Sequence, residues 1–592
     1  YIKLLNLLSM KNFLKAVLAN IVAYFIIIFI FFGFFIFIIV ASAASTGKDT
    51  KIKENSVLTI SFKHKIIDYD TESEISIFSL KNNEELRYHD IVQAIKAAQN
   101  DDRIKGISIE TDDIEAGNTQ IDDIRKSIED FKKSGKFVYA YGNIVSQGAY
   151  YLGSVADQYF LNPAGNIELK GIASEVVFLK DFAEKYGINI NVIRHGKFKA
   201  AVEPFLRNDL SAENKEQIST LINDVWSDTS AKMMQSRKLG AEEFKTIVDS
   251  LYSVIPELSL KHKLVDRLVQ KSEYENIIKE KLNVPASEDF NKVSIAQYIH
   301  AQHNVEPSND KIAVLYASGT IYNGNSLNDI HSERYISYIK ELTEDDNIKA
   351  VVLRINSPGG SANASDEILF ELQQLRQKKP LIISFGDYAA SGGYYIAMAG
   401  EKIFAQNNTI TGSIGVFSVF PDFKPLANKN GIHTEIVTTN ANSNMMSPMA
   451  GVSAGTIDIM QKSVEQTYKR FVYFVSENRK KSAEEINAIG EGRVWSGKKA
   501  KEIGLVDEIG TLDDAIKYAA SRAKLTDYQT ESYPTKIDKL HMLFSSIEEE
   551  NIAARYIKKE MDSDSYQFYQ LLTNPKLKNS VQMMMPYSIS IK

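Results

Sequence analysis

The feature that most constrains this chain is that it is written twice. Laying "DDRIKGISIE" (101–110) over "DDNIKAVVLR" (345–354) sets an offset of 244 residues. At that offset Asp122 meets Asp366, Gly142 meets Gly386, and Tyr150 and Tyr151 meet Tyr394 and Tyr395. Gly171 then meets Gly415, and Gly187–Ile188 meets Gly431–Ile432, without a gap. "LVD" recurs at 264–266 and 505–507. A register held this long marks an internal repeat. It predicts copies at 52–300 and 308–525, with 526–592 as a C-terminal extension that matches neither. Within each copy, β-branched runs bounded by turn residues, such as "AVVLRINS" (350–357), alternate with helical patterns. Ile368, Leu369, Leu372 and Leu375 fall at helical spacing and the pattern stops before Pro380. The expected fold class is α/β, a tandem duplication with a mostly parallel sheet in each copy.

At 592 residues the chain exceeds one ordinary core. The absence of cysteine excludes disulfides, thiolate catalysis and zinc–thiolate sites. A net charge of -6 gives no reason to expect nucleic acid as a partner. From Ile21 to Val40, "IVAYFIIIFIFFGFFIFIIV" carries no charge. As a helix, such a run spans about 30 Å, the thickness of a bilayer's hydrocarbon. Lys3, Lys11 and Lys15 precede it, whereas Lys48, Asp49, Lys51, Lys53 and Glu54 follow with mixed sign. The positive-inside bias places 1–15 in the cytoplasm, 16–44 across the bilayer as an anchor, and the body on the exported side. A cleaved signal peptide competes, because "VASAAS" after the run resembles a cleavage site. The run is longer than the usual apolar region of a signal peptide, which favours a retained anchor.

Two glycine-rich turns of the second copy carry the candidate chemistry, "NSPGGS" (356–361) and "AASGG" (389–393). Such turns expose backbone N–H groups at a helix N-terminus, where anionic oxygen is stabilised. Tight turns in α/β proteins use glycine for packing alone, and that reading competes. In the first copy "DDIEAG" (112–117) replaces "NSPGGS", and Gln147 replaces Ser391. The fold therefore tolerates losing both features, and Ser391 becomes a candidate nucleophile. No histidine has triad spacing. A lysine can take the proton if burial lowers its pKa toward neutrality. The segment "RHGKFKAAVEPFLRNDLS" (194–211) offers Lys199, which falls opposite Ser443 at the same offset. Serine in one copy and lysine in the other is the pattern of one site divided between duplicates. Glu203 would oppose a neutral Lys199 by pairing with it. Pro204 biases Glu203 away from helical geometry, which argues against an i, i+4 pair.

"NSPGGS", "AASGGYYIA", "TGSIGVF" (411–417), "GRVWSGKKAKEIGLVDEIG" (492–510) and "GKFKAAVEPF" together resemble the signal peptide peptidase A family in its long, duplicated form. These are membrane-bound serine proteases with the fold of the Clp protease and the crotonases. The resemblance implies a Ser/Lys dyad: Ser391 as nucleophile, Lys199 as general base, and Ser413 orienting the lysine amine. It implies that the turns at Gly360 and Gly392 form the oxyanion hole, and that no cofactor or metal takes part. It also implies a ring of protomers, a homotetramer, at the inner membrane with the catalytic body on the exported side. The substrates it implies are cleaved signal peptides and other short apolar peptides. Two other readings stand beside it: a crotonase-like acyl-CoA enzyme, and a catalytically silent membrane scaffold that binds peptides.

Overall fold

The computed structural model describes residues 15–34 except 16 and 32, then 51–62, 65–69, 86–302, 308–327, 329–445, 447–534 and 581–585. The chain divides into two compact units, Tyr1–Ile52 and Lys53–Lys592. Within 15–34 the described residues of the first unit are helical and their large apolar side chains are exposed, Phe29 by 80%. No helix among the described residues is long and apolar enough to cross a membrane. Residues 35–44 of the expected anchor lie outside the described residues.

The second unit holds both copies, each built on its own sheet. In the first sheet the strands run Arg267–Leu268, Gln158–Ile167, Phe137–Val145, Ile104–Ile109, Ser56–Ile60 and Asn291–Ser294, all parallel to their neighbours. The second runs Val494–Ser496, Ile410–Gly412, Leu381–Ala390, Ile348–Ser357, Lys311–Ser318 and Gln529–Tyr533. Only its Val494–Ser496 edge is antiparallel. The strand Gln529–Tyr533 carries the second copy beyond residue 525, into what the sequence assigned to the extension.

The repeated residues make repeated bonds. Tyr150 donates its hydroxyl to the Leu264 carbonyl at 2.9 Å, and Tyr394 does the same to Leu505 at 2.8 Å. The aspartate of each "LVD" accepts a strand N–H, from Tyr159 to Asp266 at 2.7 Å and from Ile403 to Asp507 at 2.8 Å. That aspartate also meets an arginine, Arg237 or Arg479, from the long helices Ala212–Arg237 and Ala454–Arg479. Buried tyrosine hydroxyls need partners, so these positions hold their identity in both copies.

A third sheet joins the copies. Its order is Ile330–His331, Ile321–Tyr322, Gly359–Ser361, Gln582–Met584, Val416–Asp422 and Asn189–His195. The last two strands pair antiparallel from Val416 opposite His195 to Asp422 opposite Asn189. A first-copy strand thus lies on a second-copy strand, and Gln582–Met584 from the C-terminal extension enters the same sheet.

A charged cluster is buried where the copies meet. Asp68 lies 3.4 Å from Arg354, whose guanidinium also sits 5.1 Å over the Tyr88 ring. Asp387 accepts from the Thr119 N–H at 2.8 Å, so the second copy caps the first-copy helix Asn118–Lys132. Burial pushes Asp123 up to about 8 and Asp387 up to about 6. A carboxyl whose pKa rises on folding keeps its proton longer in the native state. Its stabilising effect is complete below its unfolded pKa near 4 and is lost as pH rises to about 8. Asp123→Asn removes the titration. The melting temperature of D123N relative to wild type should therefore climb between pH 5 and pH 9; a constant difference across that range would refute the assignment.

Candidate active site

Ser391 lies between the end of the strand Leu381–Ala390 and the start of the helix Gly392–Ala397. Its φ is 55° and ψ is -115°, a conformation costly for a residue with a side chain. The backbone is held there by Ser391 N–H to the Gly412 carbonyl at 2.9 Å and Tyr395 N–H to the Ser391 carbonyl at 2.8 Å. This sharp strand-to-helix turn puts a hydroxyl at a helix N-terminus.

Lys199 arrives from the other copy. The strand Asn189–His195 ends beside Val416, and four residues later the chain reaches Lys199. Phe198 donates its N–H to the Glu491 carbonyl at 3.0 Å, and the Phe198 carbonyl accepts from Gln217 at 3.4 Å. Gln217 in turn accepts from the Val494 N–H at 3.0 Å, which ties the lysine loop to the second sheet.

The Lys199 amine stands 2.9 Å from Ser391 Oγ, 3.0 Å from Ser413 Oγ and 3.2 Å from the Ser413 carbonyl. All three residues are fully buried. Burial alone lowers the Lys199 pKa well below its ordinary value of 10.5. Among the described residues no carboxylate pairs with it; the Phe417 ring lies 6.0 Å away. The geometry suits a neutral amine. Two of its hydrogens go to Ser413, and its lone pair accepts the Ser391 hydroxyl.

Glu203 is helical, with φ -59° and ψ -36°, so Pro204 does not exclude it from helical geometry as its sequence position suggested. The carboxylate still avoids Lys199. It accepts from Ser211 Oγ at 2.6 Å and Asn214 Nδ2 at 3.0 Å, and Arg194 lies 3.9 Å away. Local partners, not the proline, keep it from the amine.

Gly392 and the 358–361 turn come together. A Cβ on Gly392 would stand 3.2 Å from the Gly360 nitrogen. Gly360 itself pairs with Ile321 on one side and Met583 on the other. Sequence reasoning passed over two neighbouring glycines. Gly359 has φ 101°, and a Cβ there would stand 2.6 Å from the Gly392 nitrogen and press on the Met583 carbonyl. Gly492 has φ 84°, and a Cβ there would come within 2.6–2.7 Å of the Lys199 backbone and Cβ. Gly492 opens the quoted stretch "GRVWSG", and only its contact with a residue of the other copy sets it apart.

In the first copy the corresponding place is filled by an amide. Gln147 accepts from the Gly171 N–H at 2.8 Å and donates to the Gly171 carbonyl at 3.1 Å. Gly171 is the counterpart of Gly415, so the amide bonds to the stretch that corresponds to the lysine-binding turn.

A buried serine hydrogen-bonded to an amine of lowered pKa, at a helix N-terminus rimmed by glycines, has the makings of a serine hydrolase site. Comparison with known proteins narrows this. The family model described as peptidase family S49 matches residues 130–285 and again 373–526, once in each copy, and a Clp protease model matches 303–411. Protease 4 of Salmonella typhi is 35% identical over 468 residues, which cover 77% of this chain and 75% of that protein. The Haemophilus influenzae Protease 4 is 35% identical over 73% of this chain and 72% of its own length. The chloroplastic serine protease SPPA of Arabidopsis thaliana is 30% identical over 80% and 70%. A provisionally named signal peptide peptidase SppA of Enterococcus faecium is 35% identical over 37% of this chain. The chain belongs to peptidase family S49 and is a serine protease.

Proposed function

We propose that this protease hydrolyses cleaved signal peptides and other short apolar peptides through Ser391 and Lys199. The carrying observation is the 2.9 Å contact between the Lys199 amine and Ser391 Oγ, both residues fully buried. Ser391 Oγ attacks the peptide carbonyl while its proton passes to Lys199 Nζ. The C–N bond then breaks as that proton moves from Lys199 to the leaving amine; Lys199 Nζ next deprotonates a water that attacks the acyl carbon, and the acyl–Oγ bond breaks as the proton returns to Ser391 Oγ. Ser413 keeps the lone pair aimed at Ser391. N–H groups of Gly392 and the Gly360 turn hold the developing oxyanion, a contribution worth about 10²–10³ in rate per donor.

The peptide class is supported by the chain's own extension. Gln582–Met584 lies antiparallel on Gly359–Ser361, and Met585 donates its N–H to the Pro358 carbonyl at 2.7 Å. Met585 packs with Ala390, next to Ser391, and Met584 with Val202 and Phe417. An extended apolar segment therefore fits beside the candidate nucleophile. The proposal includes an anchor over 16–44, a homotetramer, and a body on the exported face of the inner membrane. The uncharged run from Ile21 to Val40 and the lysines before it support that placement.

A synthetic signal peptide and a charged unfolded peptide of equal length, digested side by side and followed by mass spectrometry, test the substrate class. Burying one aliphatic side chain contributes about 1.5–3 kcal/mol, so the signal peptide should be cut at least about tenfold faster. Faster cutting of the charged peptide would overturn the substrate reading.

A further inference from the structure

The first-copy counterpart of the candidate active site is a cavity of about 820 Å³ with an acidic wall. In the second copy Asn356, Ser357 and Gly359 belong to the turn that faces the expected oxyanion. At the offset of 244 those positions are Asp112, Asp113 and Glu115, and all three line the cavity. Glu168 and Lys170 stand on the same wall, with Trp226 and Ile172 among its apolar part. A turn suited to holding an anion has a counterpart lined by anions.

A buried acceptor in the wall adds to the carboxylates. Asn408 lines the cavity and is 4% exposed. Its Nδ2 donates to Asp228 at 3.1 Å, which fixes the orientation of the amide and leaves Oδ1 without a partner. A buried acceptor of this kind costs free energy until a donor reaches it. The carboxylates have only local or exposed partners. Asp112 accepts from the Asn143 N–H at 2.7 Å, and Asp113 from the Ile114 N–H at 2.9 Å. Glu115 lies 3.9 Å from Lys65 and Glu168 3.3 Å from Lys170, and all four side chains are more than half exposed. Exposed pairs of that kind hold little free energy and give way to another cation. Among the described residues no group of three or more carboxylates and histidines is placed to hold a metal ion. The wall instead suits donors spread along a peptide, whose ammonium or guanidinium groups the Trp226 face also attracts.

We propose that this cavity binds a lysine- or arginine-bearing segment of the peptide substrate. The proposal rests on the reading of signal peptides as substrates and names how one part of them is held. Signal peptides carry a positively charged stretch ahead of their apolar run. Asn408 stands five residues before Ser413, whose Oγ bonds the Lys199 amine. At full extension five residues span at most about 18 Å, and an extended peptide covers that distance in about six residues. The cationic stretch is held by the first copy while the apolar run reaches Ser391. The copy that lacks the nucleophile thereby has a binding role of its own.

Two readouts test it, one of them without hydrolysis. A fluorescently labelled trilysine peptide is titrated at low salt onto Ser391→Ala, and onto the same protein carrying Asp113→Asn and Glu115→Gln. The amides keep the size and accepting oxygen of each side chain and remove its charge. Affinity should fall about fivefold in the second protein, as for two partly exposed ion pairs. Raising salt to about 1 M should abolish the difference. With Ser391 intact, two peptides that share one apolar run are then compared, one preceded by three lysines and the other by three glutamines. D113N/E115Q should raise KM for the lysine peptide about fivefold and leave its kcat unchanged. Both constants for the glutamine peptide should stay at wild type, which also shows that the variant is folded. If neither peptide is cut, the substrate reading fails while the trilysine titration still decides the cavity. Equal trilysine affinity in the two proteins, or a KM that changes no more for the lysine peptide than for the glutamine peptide, would overturn the proposal.

Discussion

Lys199→Ala is expected to lower kcat by about four orders of magnitude or more while the fold survives. Removing one member of a nucleophile–base pair costs about as much as removing both, because each acts only through the other. The amine has no charged partner to strand, since its three contacts are Ser391 and Ser413 oxygens. Loss of the side chain therefore leaves a cavity and unpaired hydroxyls rather than an uncompensated buried charge. Circular dichroism and the melting curve should remain those of a folded protein. Lys199→Arg should not rescue, because a guanidinium stays protonated and cannot accept the serine's proton. Ser391→Ala should match the loss, since the first copy folds with Gln147 at the equivalent position. Residual hydrolysis near wild type in purified K199A would remove Lys199 from the mechanism.

Gly492→Ala is expected to cost about 10²-fold in kcat although residue 492 touches no substrate in this account. The new methyl would meet Lys199 N, Cα and Cβ at 2.6–2.7 Å, and φ of 84° disfavours any side chain there. The lysine loop must shift. A displacement of about 1 Å at a reacting group costs about 10²-fold. A fall in kcat with the second-copy sheet still folded would mark Gly492 as a positioning residue. Unchanged kcat would show that the loop relaxes without moving the amine.

Much of this was legible in the sequence because it rests on residue types that carry chemistry. The repeat showed in paired glycines and tyrosines, and the structure shows why the tyrosines persist: Tyr150 and Tyr394 bond the carbonyls of the "LVD" leucines, and Tyr151 and Tyr395 bond Asp122 and Asp366. The serine and lysine stood out because each occurs in one copy only. What was not legible depends on contacts between distant segments. "VQMMM" (581–585) carries no alternation that announces a strand, yet Gln582–Met584 enters the sheet beside the site. Glu203 looked like a threat to a neutral lysine, and only the fold reveals Ser211 and Asn214 holding it. Nothing in the sequence marks Asp387, four positions before the serine; in the fold it caps a helix of the other copy.

The central claim is that Ser391 is activated by a neutral Lys199. A fluorophosphonate forms a phosphorus–oxygen bond with an activated serine as fluoride leaves, and the labelled residue is read by peptide mass spectrometry. The labelling rate of wild type and Lys199→Ala is measured across pH. Burial lowers the Lys199 pKa, so the amine is neutral above that lowered value and protonated below it. The account predicts label on Ser391 alone, at a rate that rises with pH and reaches its plateau well below the ordinary lysine range, and no label in K199A. Labelling of K199A at the wild-type rate, or of a different serine, would contradict it.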